Sequence, residues 1–380
     1  MHFTKYSILL VSMILPAAQL AYAQSYGGDS ANSFIEDENL SLDIIGSLAA
    51  TANYSSSQGP LLGLIYRNNR LAGDSHSIKL ELQAGIQTQA ASLSYMNDQW
   101  DEHSYAAGLE IDYAGQKKQN HLDLSFRSLA VEPWISVPLT ESVELKTYTS
   151  LSLDQISQPL SNPSDIYSQD LGDRVRWAVG GEIAYRHSLS RVAVTQEIGF
   201  TSKASAYSKT QAQIAIGSAD RSDAFEFASS LSGGALVMLE GTSTIGDRYL
   251  LGPGAIRSFE YAGFGPKYTS ADTAASRALG GNRFVSFQTD LIFKLPFREI
   301  IPIDPGLYFD AGSLWALDID PSDNAAEGRY DDSFKIRSST GLTLQHTGEF
   351  RQVQVLFGFP LSQSPDDDVS IVQLNIRTLF

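Results

Sequence analysis

Cysteine is missing from all 380 residues, which excludes disulfide frameworks and thiolate metal sites. Basic clusters are missing as well. With 43 acidic residues against 27 basic ones and a formal charge of -16, the chain is poorly suited to nucleic acid or to an anionic cytoplasmic leaflet. Beyond Ala23 no run reaches the roughly 18 to 20 apolar residues of a spanning helix, the stretch 235–239 being typical of the longest. There is no Gly-x-Ser-x-Gly elbow, no phosphate-binding glycine loop and no paired-acid motif, and the six His residues show no metal-ligand spacing. No cofactor and no metal are expected.

What is present begins with a secretory pattern. His2 and Lys5 precede an apolar core over 6–20, and Ala21-Tyr22-Ala23 stands ahead of Gln24, so 1–23 reads as a cleavable signal peptide. Residues 24–39, rich in Ser, Gly, Asn and acids, read as a flexible leader. The remaining 40–380 form the structural domain.

That domain alternates with period two. Val285, Phe287, Leu291 and Phe293 share one face, and Ser286, Gln288, Asp290 and Lys294 the other. Phe334, Ile336, Leu342 and Leu344 oppose Lys335, Arg337, Thr343 and Gln345 in the same way, and Val372, Leu374 and Ile376 oppose Gln373, Asn375 and Arg377. Such strands fit a soluble sandwich with a wet outer face or a membrane barrel with a wet lumen. Length decides between them. Sixteen candidate strands, at 41–53, 61–68, 77–88, 90–97, 103–114, 120–131, 143–153, 174–187, 191–200, 206–216, 225–239, 284–295, 306–315, 334–345, 351–359 and 369–380, include many of the roughly 9 to 11 residues that cross a bilayer at a tilt. The fold class is therefore an all-β, transmembrane antiparallel barrel of sixteen strands. Tyr308, Phe309, Trp315 and Phe380 are read as interfacial aromatics. An even count puts both termini in the periplasm, and the long connections 154–173, 240–283 and 316–333 then fall outside the cell.

Inside the longest connection, six of the sixteen residues at 252–267 are Gly or Pro, and they flank the cation Arg257 on both sides. Ala255-Ile256-Arg257-Ser258-Phe259-Glu260 followed by Gly263-Phe264-Gly265-Pro266-Lys267 resembles the Val/Ile-Arg-Gly-Phe/Tyr loop of the outer-membrane assembly and translocation barrels of the BamA and TamA type, the bacterial surface antigen superfamily. Gly280-Gly281-Asn282, the segment Tyr308 to Trp315 and the closing Val372 to Phe380 resemble it in the same order.

The resemblance implies a bacterial outer-membrane location and a role in membrane-protein insertion or polypeptide translocation, with unfolded outer-membrane or secreted polypeptides as clients. It implies that the loop folds into the lumen, where Arg257 pairs with Asp310, with Asp290 as a second partner and Phe259 and Gly312 at the contact. It also makes Leu374, Ile376 and Phe380 a C-terminal barrel signal. Parity agrees on one point: Asp290 and Asp310 face inward on consecutive strands.

Two departures stand out. Ser258 replaces the usual Gly, and Arg377 stands where relatives often carry Gly. Only 24–40 precedes the barrel, too short for the POTRA modules of the assembly type, so client docking would need a separate periplasmic partner. Two other readings remain open: a pore or surface barrel without assembly activity, and a barrel-borne hydrolase using His121, His187 or His346. The acids Asp318, Asp320, Asp323, Glu327, Asp331 and Asp332, and the run Asp366-Asp367-Asp368, read as solvated loops.

Overall fold

The computed structural model describes residues 46–379 apart from 56–58, 72–74, 100–104, 118–121, 123, 159–166, 168–169, 219–223, 271–275, 296–301, 320–327 and 348–350. The expected signal and leader, His121 and Phe380 lie outside these residues.

The wall opens with β1 (Gly46–Ser55), β2 (Gly59–Asn68), β3 (His76–Gly85), β4 (Thr88–Asn97), β5 (Ala106–Gln116) and β6 (Ser125–Pro138). It continues through β7 (Val143–Ser157), β8 (Gly172–His187), β9 (Ser190–Thr201), β10 (Ser205–Gly217) and β11 (Phe225–Glu240). Three short strands, β12 (Lys267–Ser270), β13 (Ser276–Ala278) and β16 (Gly328–Asp331), interrupt the series of β14 (Arg283–Phe293), β15 (Asp304–Trp315), β17 (Arg337–Thr347), β18 (Arg351–Ser362) and β19 (Val372–Leu379). Sixteen of these strands close a barrel, β1 pairing with β19, and every pairing is antiparallel. The short three form a separate sheet in the order β13-β12-β16. No helix of the described residues is long and apolar enough to cross a membrane.

Closure satisfies every ladder, which matters in lipid because an unpaired edge has no water to bond. The seam runs unbroken from Ala49↔Leu379 to Ser55↔Gln373, with Arg377 opposite Thr51. Outward positions are oily: Leu151, Leu153, Val175, Val179, Ile183, Ile198 and Phe200 are all exposed on the outer face. Inward neighbours are polar and buried, among them Ser150, Ser152, Asp154, Arg174, Arg176 and Glu197.

Each candidate strand is matched by a wall strand. The sixth runs further than expected, to Pro138, although Pro133 sits inside it. Its pairing to β7 keeps one register, from Val131↔Leu151 to Trp134↔Tyr148, and loses only the pairs around Pro133, whose nitrogen has no hydrogen to donate.

Candidate functional site

The long connection from β11 to β14 does not project away from the barrel; it lies against the inner wall and is held at three places.

The first is near its start. Thr244 and Asp247 form a tight turn, with the Thr244 hydroxyl donating to Asp247 Oδ2 at 2.6 Å. Arg174 on β8 donates from Nη1 to both Asp247 oxygens, at 2.8 and 2.9 Å. Lys209 on β10 donates to the Asp247 carbonyl at 3.0 Å. Arg176, one inward position along β8, bonds Asp154 Oδ2 at 2.5 Å and the Gly246 carbonyl at 3.2 Å. Burial disfavours the Asp247 carboxylate, but Arg174 and Arg176 outweigh it and hold its pKa below the ordinary value.

The second centres on Arg257, which is 1% exposed. Its Nε donates to Asp310 Oδ2 at 2.8 Å and its Nη2 to Asp310 Oδ1 at 2.5 Å, a fork matched to one carboxylate. Nη1 donates to Asp290 Oδ1 at 2.5 Å. The backbone N–H of Arg257 adds a bond to Asp310 Oδ2 at 2.8 Å, and the Ser339 hydroxyl donates to its carbonyl. The guanidinium lies 4.0 Å from the Tyr308 ring centre. The two acids come together because β14 and β15 are neighbours, in a register that sets Asp290 opposite Tyr308 and Gln288 opposite Asp310.

Tyr308 therefore faces the lumen and not the interface assigned to it from the sequence. The parity that turns Asp310 inward turns Tyr308 inward with it; Phe309, at the opposite parity, is exposed on the outer face. Ile256 and Phe259 are fully buried, in a cluster with Tyr249 of the same loop and with Tyr207, Phe284 and Leu314 of the wall. Side chains of this size contribute about 1.5 to 3 kcal/mol each when fully buried. Gly312 is required by space, since a Cβ there would stand 2.5 Å from the Val285 carbonyl oxygen and 3.1 Å from Ile256 Cδ1.

Ser258 sits at φ 76°, the left-handed region in which a side chain costs on the order of 1 to 2 kcal/mol. Its hydroxyl shares a 3.0 Å hydrogen bond with Tyr308 Oη, and its carbonyl accepts from the Ser370 N–H at 2.9 Å. The turn keeps the form glycine would give, and these bonds offset its strain.

The third attachment joins the loop to the β18–β19 connection. Phe259 bridges to Val369, Glu260 N–H donates to the Asp368 carbonyl at 2.9 Å, and Asp368 N–H donates to that of Gly263 at 2.8 Å. Lys267 Nζ pairs with Asp368 at 2.7 Å, and Arg337 Nε bonds Asp367 at 2.5 Å. The run Asp366-Asp367-Asp368 is thus not a solvated turn, because two of its carboxylates neutralise buried cations. Asp318 likewise braces the loop, accepting from Ser243 N–H at 2.7 Å and from Asn282 at 3.1 Å. Among the described residues no acid or His group is arranged to hold a metal ion.

Glu260 faces Asp368 and Lys267. Burial and the Asp368 charge push its pKa up to about 7, against the pull of Lys267. A carboxyl raised on folding contributes stability that is present below its ordinary value of 4.5 and lost as pH rises through about 7. Protease resistance of the loop should therefore fall as pH rises across that window, and Glu260→Gln should flatten the dependence. An identical pH profile in the variant would contradict this assignment.

His187 stacks on Tyr185 at a turn, and exposed His346 contacts the Pro302 carbonyl. Among the described residues neither imidazole ring bonds a Ser hydroxyl or a carboxylate; the Ser190 hydroxyl donates only to the His187 backbone carbonyl, at 3.0 Å.

A closed antiparallel barrel with an oily exterior, a polar lumen and a long connection folded inside defines a bacterial outer-membrane β-barrel. Residues 70–380 match the Omp85 superfamily domain, and the chain belongs to that superfamily. The outer membrane protein assembly factor BamA of Neorickettsia risticii (strain Illinois) is 22% identical over 366 residues, covering 91% of this chain and 47% of that protein. The chain thus spans about half the length of this relative. Among solved structures, BamA from Haemophilus ducreyi lacking POTRA domains 1-3 superposes with a TM-score of 0.69 at 15% identity, covering 88% of this chain and 70% of that one. CdiB from Acinetobacter baumannii superposes with a TM-score of 0.57 at 10% identity, covering 88% and 60%. At these identities the superpositions speak for the fold.

Proposed function

We propose that this barrel inserts or translocates polypeptides at the outer membrane, with the β11–β14 loop as its seated plug and a separate periplasmic partner supplying client docking. Arg257 with Asp310 and Asp290, supported by Phe259 and Gly312, acts as the clasp that fixes the loop. Leu374, Ile376 and Phe380 act as the signal by which the barrel is itself assembled, after removal of 1–23 on export. The chain works without catalysis and without a cofactor.

The observation that carries this reading is the fork of Arg257 on Asp310 inside an Omp85 barrel. A buried cation bonded to two wall strands holds a loop in one place against a wall that has to rearrange around a client, and the relative named above is an assembly factor. Proteoliposomes containing the barrel should speed the insertion of a small unfolded barrel client once periplasmic extract is added. No acceleration under that condition would remove the assembly role and leave the pore or surface reading. Co-purification from the envelope identifies the docking partner directly.

A further inference from the structure

The lipid-facing wall of β2 to β5 carries an apolar groove of about 480 Å³, lined by Leu62, Leu64, Leu82, Ala84, Ala91 and Tyr113. It exists because small residues stand between large ones. One outward row reads Leu64, Leu82, Ala91, Tyr113 across the four strands, and the row beyond it reads Leu62, Ala84, Gln89, Gly115, Arg127 into β6. Alanine or glycine at positions 84, 91 and 115 leaves the hollow.

The groove ends at the same side of the membrane as the long loop, since the β3–β4 turn and the β11–β14 connection both follow odd positions in the wall. Arg127 lies at that end, three residues into β6, and Lys117 lies just past the end of β5. Both are exposed, and among the described residues neither side chain has a partner. The backbone register puts them on one face, at diagonal positions of paired strands, within reach of one anion. The Tyr113 hydroxyl leans the same way, lying 3.0 Å from where a Cβ on Gly115 would be.

On a protein of charge -16, two exposed cations above an oily groove call for a specific occupant. The medium on this face is lipid, and the outer leaflet of a bacterial outer membrane is built from phosphorylated glycolipid. We propose that the β2–β6 wall binds one such lipid, an acyl chain lying in the groove between Leu64, Leu82 and Tyr113 and a phosphate held by Arg127 and Lys117. A single charge near a membrane surface changes lipid affinity by about fivefold, so the pair supplies roughly twenty-five-fold.

Native mass spectrometry of the detergent-purified full chain, titrated with lipid A, tests this. The wild type should retain one lipid A at concentrations where phosphatidylethanolamine is not retained. Lys117→Gln with Arg127→Gln should weaken retention roughly twenty-five-fold, and Ala91→Phe, which fills the groove, should weaken it while leaving both cations. All of these positions face outward, and unchanged heat-modifiable migration verifies folding. Equal retention of lipid A by wild type and the double variant, equal retention of the two lipids, or a dimer appearing in place of the lipid adduct would each overturn the proposal.

Discussion

Replacing Arg257 with Ala should free the β11–β14 loop and sharply lower the heat resistance of the folded barrel. Asp310 and Asp290 are 0% and 1% exposed, so the substitution leaves two carboxylates facing each other away from water. Removing one partner of such a buried pair costs about 3 to 5 kcal/mol, much of it from the stranded charge. Arg257→Ala with Asp310→Ala should therefore cost less than the two single changes added together, since only one stranded carboxylate remains. Semi-native gel migration against temperature reads the barrel, and limited proteolysis within 252–267 reads the loop. Full additivity, or unchanged cleavage in Arg257→Ala, would mean that the guanidinium does not pin the segment.

The second large effect comes from combining that change with Asp247→Ala. Asp247 neutralises Arg174, which is only 4% exposed, and its carbonyl takes Lys209, so its turn fixes the loop to β8 and β10. Arg257 fixes it to β14 and β15 farther along the wall. With either anchor intact the loop stays over the lumen. In planar bilayers the wild type should be mostly closed and flickering, each single variant should open briefly, and Asp247→Ala/Arg257→Ala should hold large, sustained conductance. A double variant as quiet as the wild type would mean that another element closes the lumen, and sustained conductance in the wild type would favour the pore reading.

Much of this barrel is written in its alternation, because a strand between lipid and a polar lumen must change character at every residue. That is why β14 and β17 could be assigned a face each, and why Asp290 and Asp310 could be set inward together. What alternation cannot carry is pairing between distant loops. The sheet of β12, β13 and β16 has strands of four, three and four residues, too short for any period to emerge. The Asp247 anchor was hidden for a different reason: Thr244 and Asp247 look like any polar turn until Arg174 and Lys209 arrive from strands far away in sequence. Aromaticity suggests an interfacial place for Tyr308, but a ring can also cover a buried guanidinium, and the parity that turns Asp310 inward turns Tyr308 inward with it.

The absence of cysteine gives a direct test of where the loop lies. A Cβ on Gly358 of β18 would stand 3.1 Å from Ser258 Cβ, a few tenths of an ångström inside the roughly 3.5 to 4.5 Å of a disulfide. The Tyr308 hydroxyl would crowd that Cβ at 2.3 Å, so the test is made with Tyr308→Phe. Ser258→Cys with Gly358→Cys in that background, taken from the outer membrane and assayed for free thiols, should be mostly cross-linked between loop and wall. Two free thiols in a folded barrel would place the loop elsewhere and contradict the account.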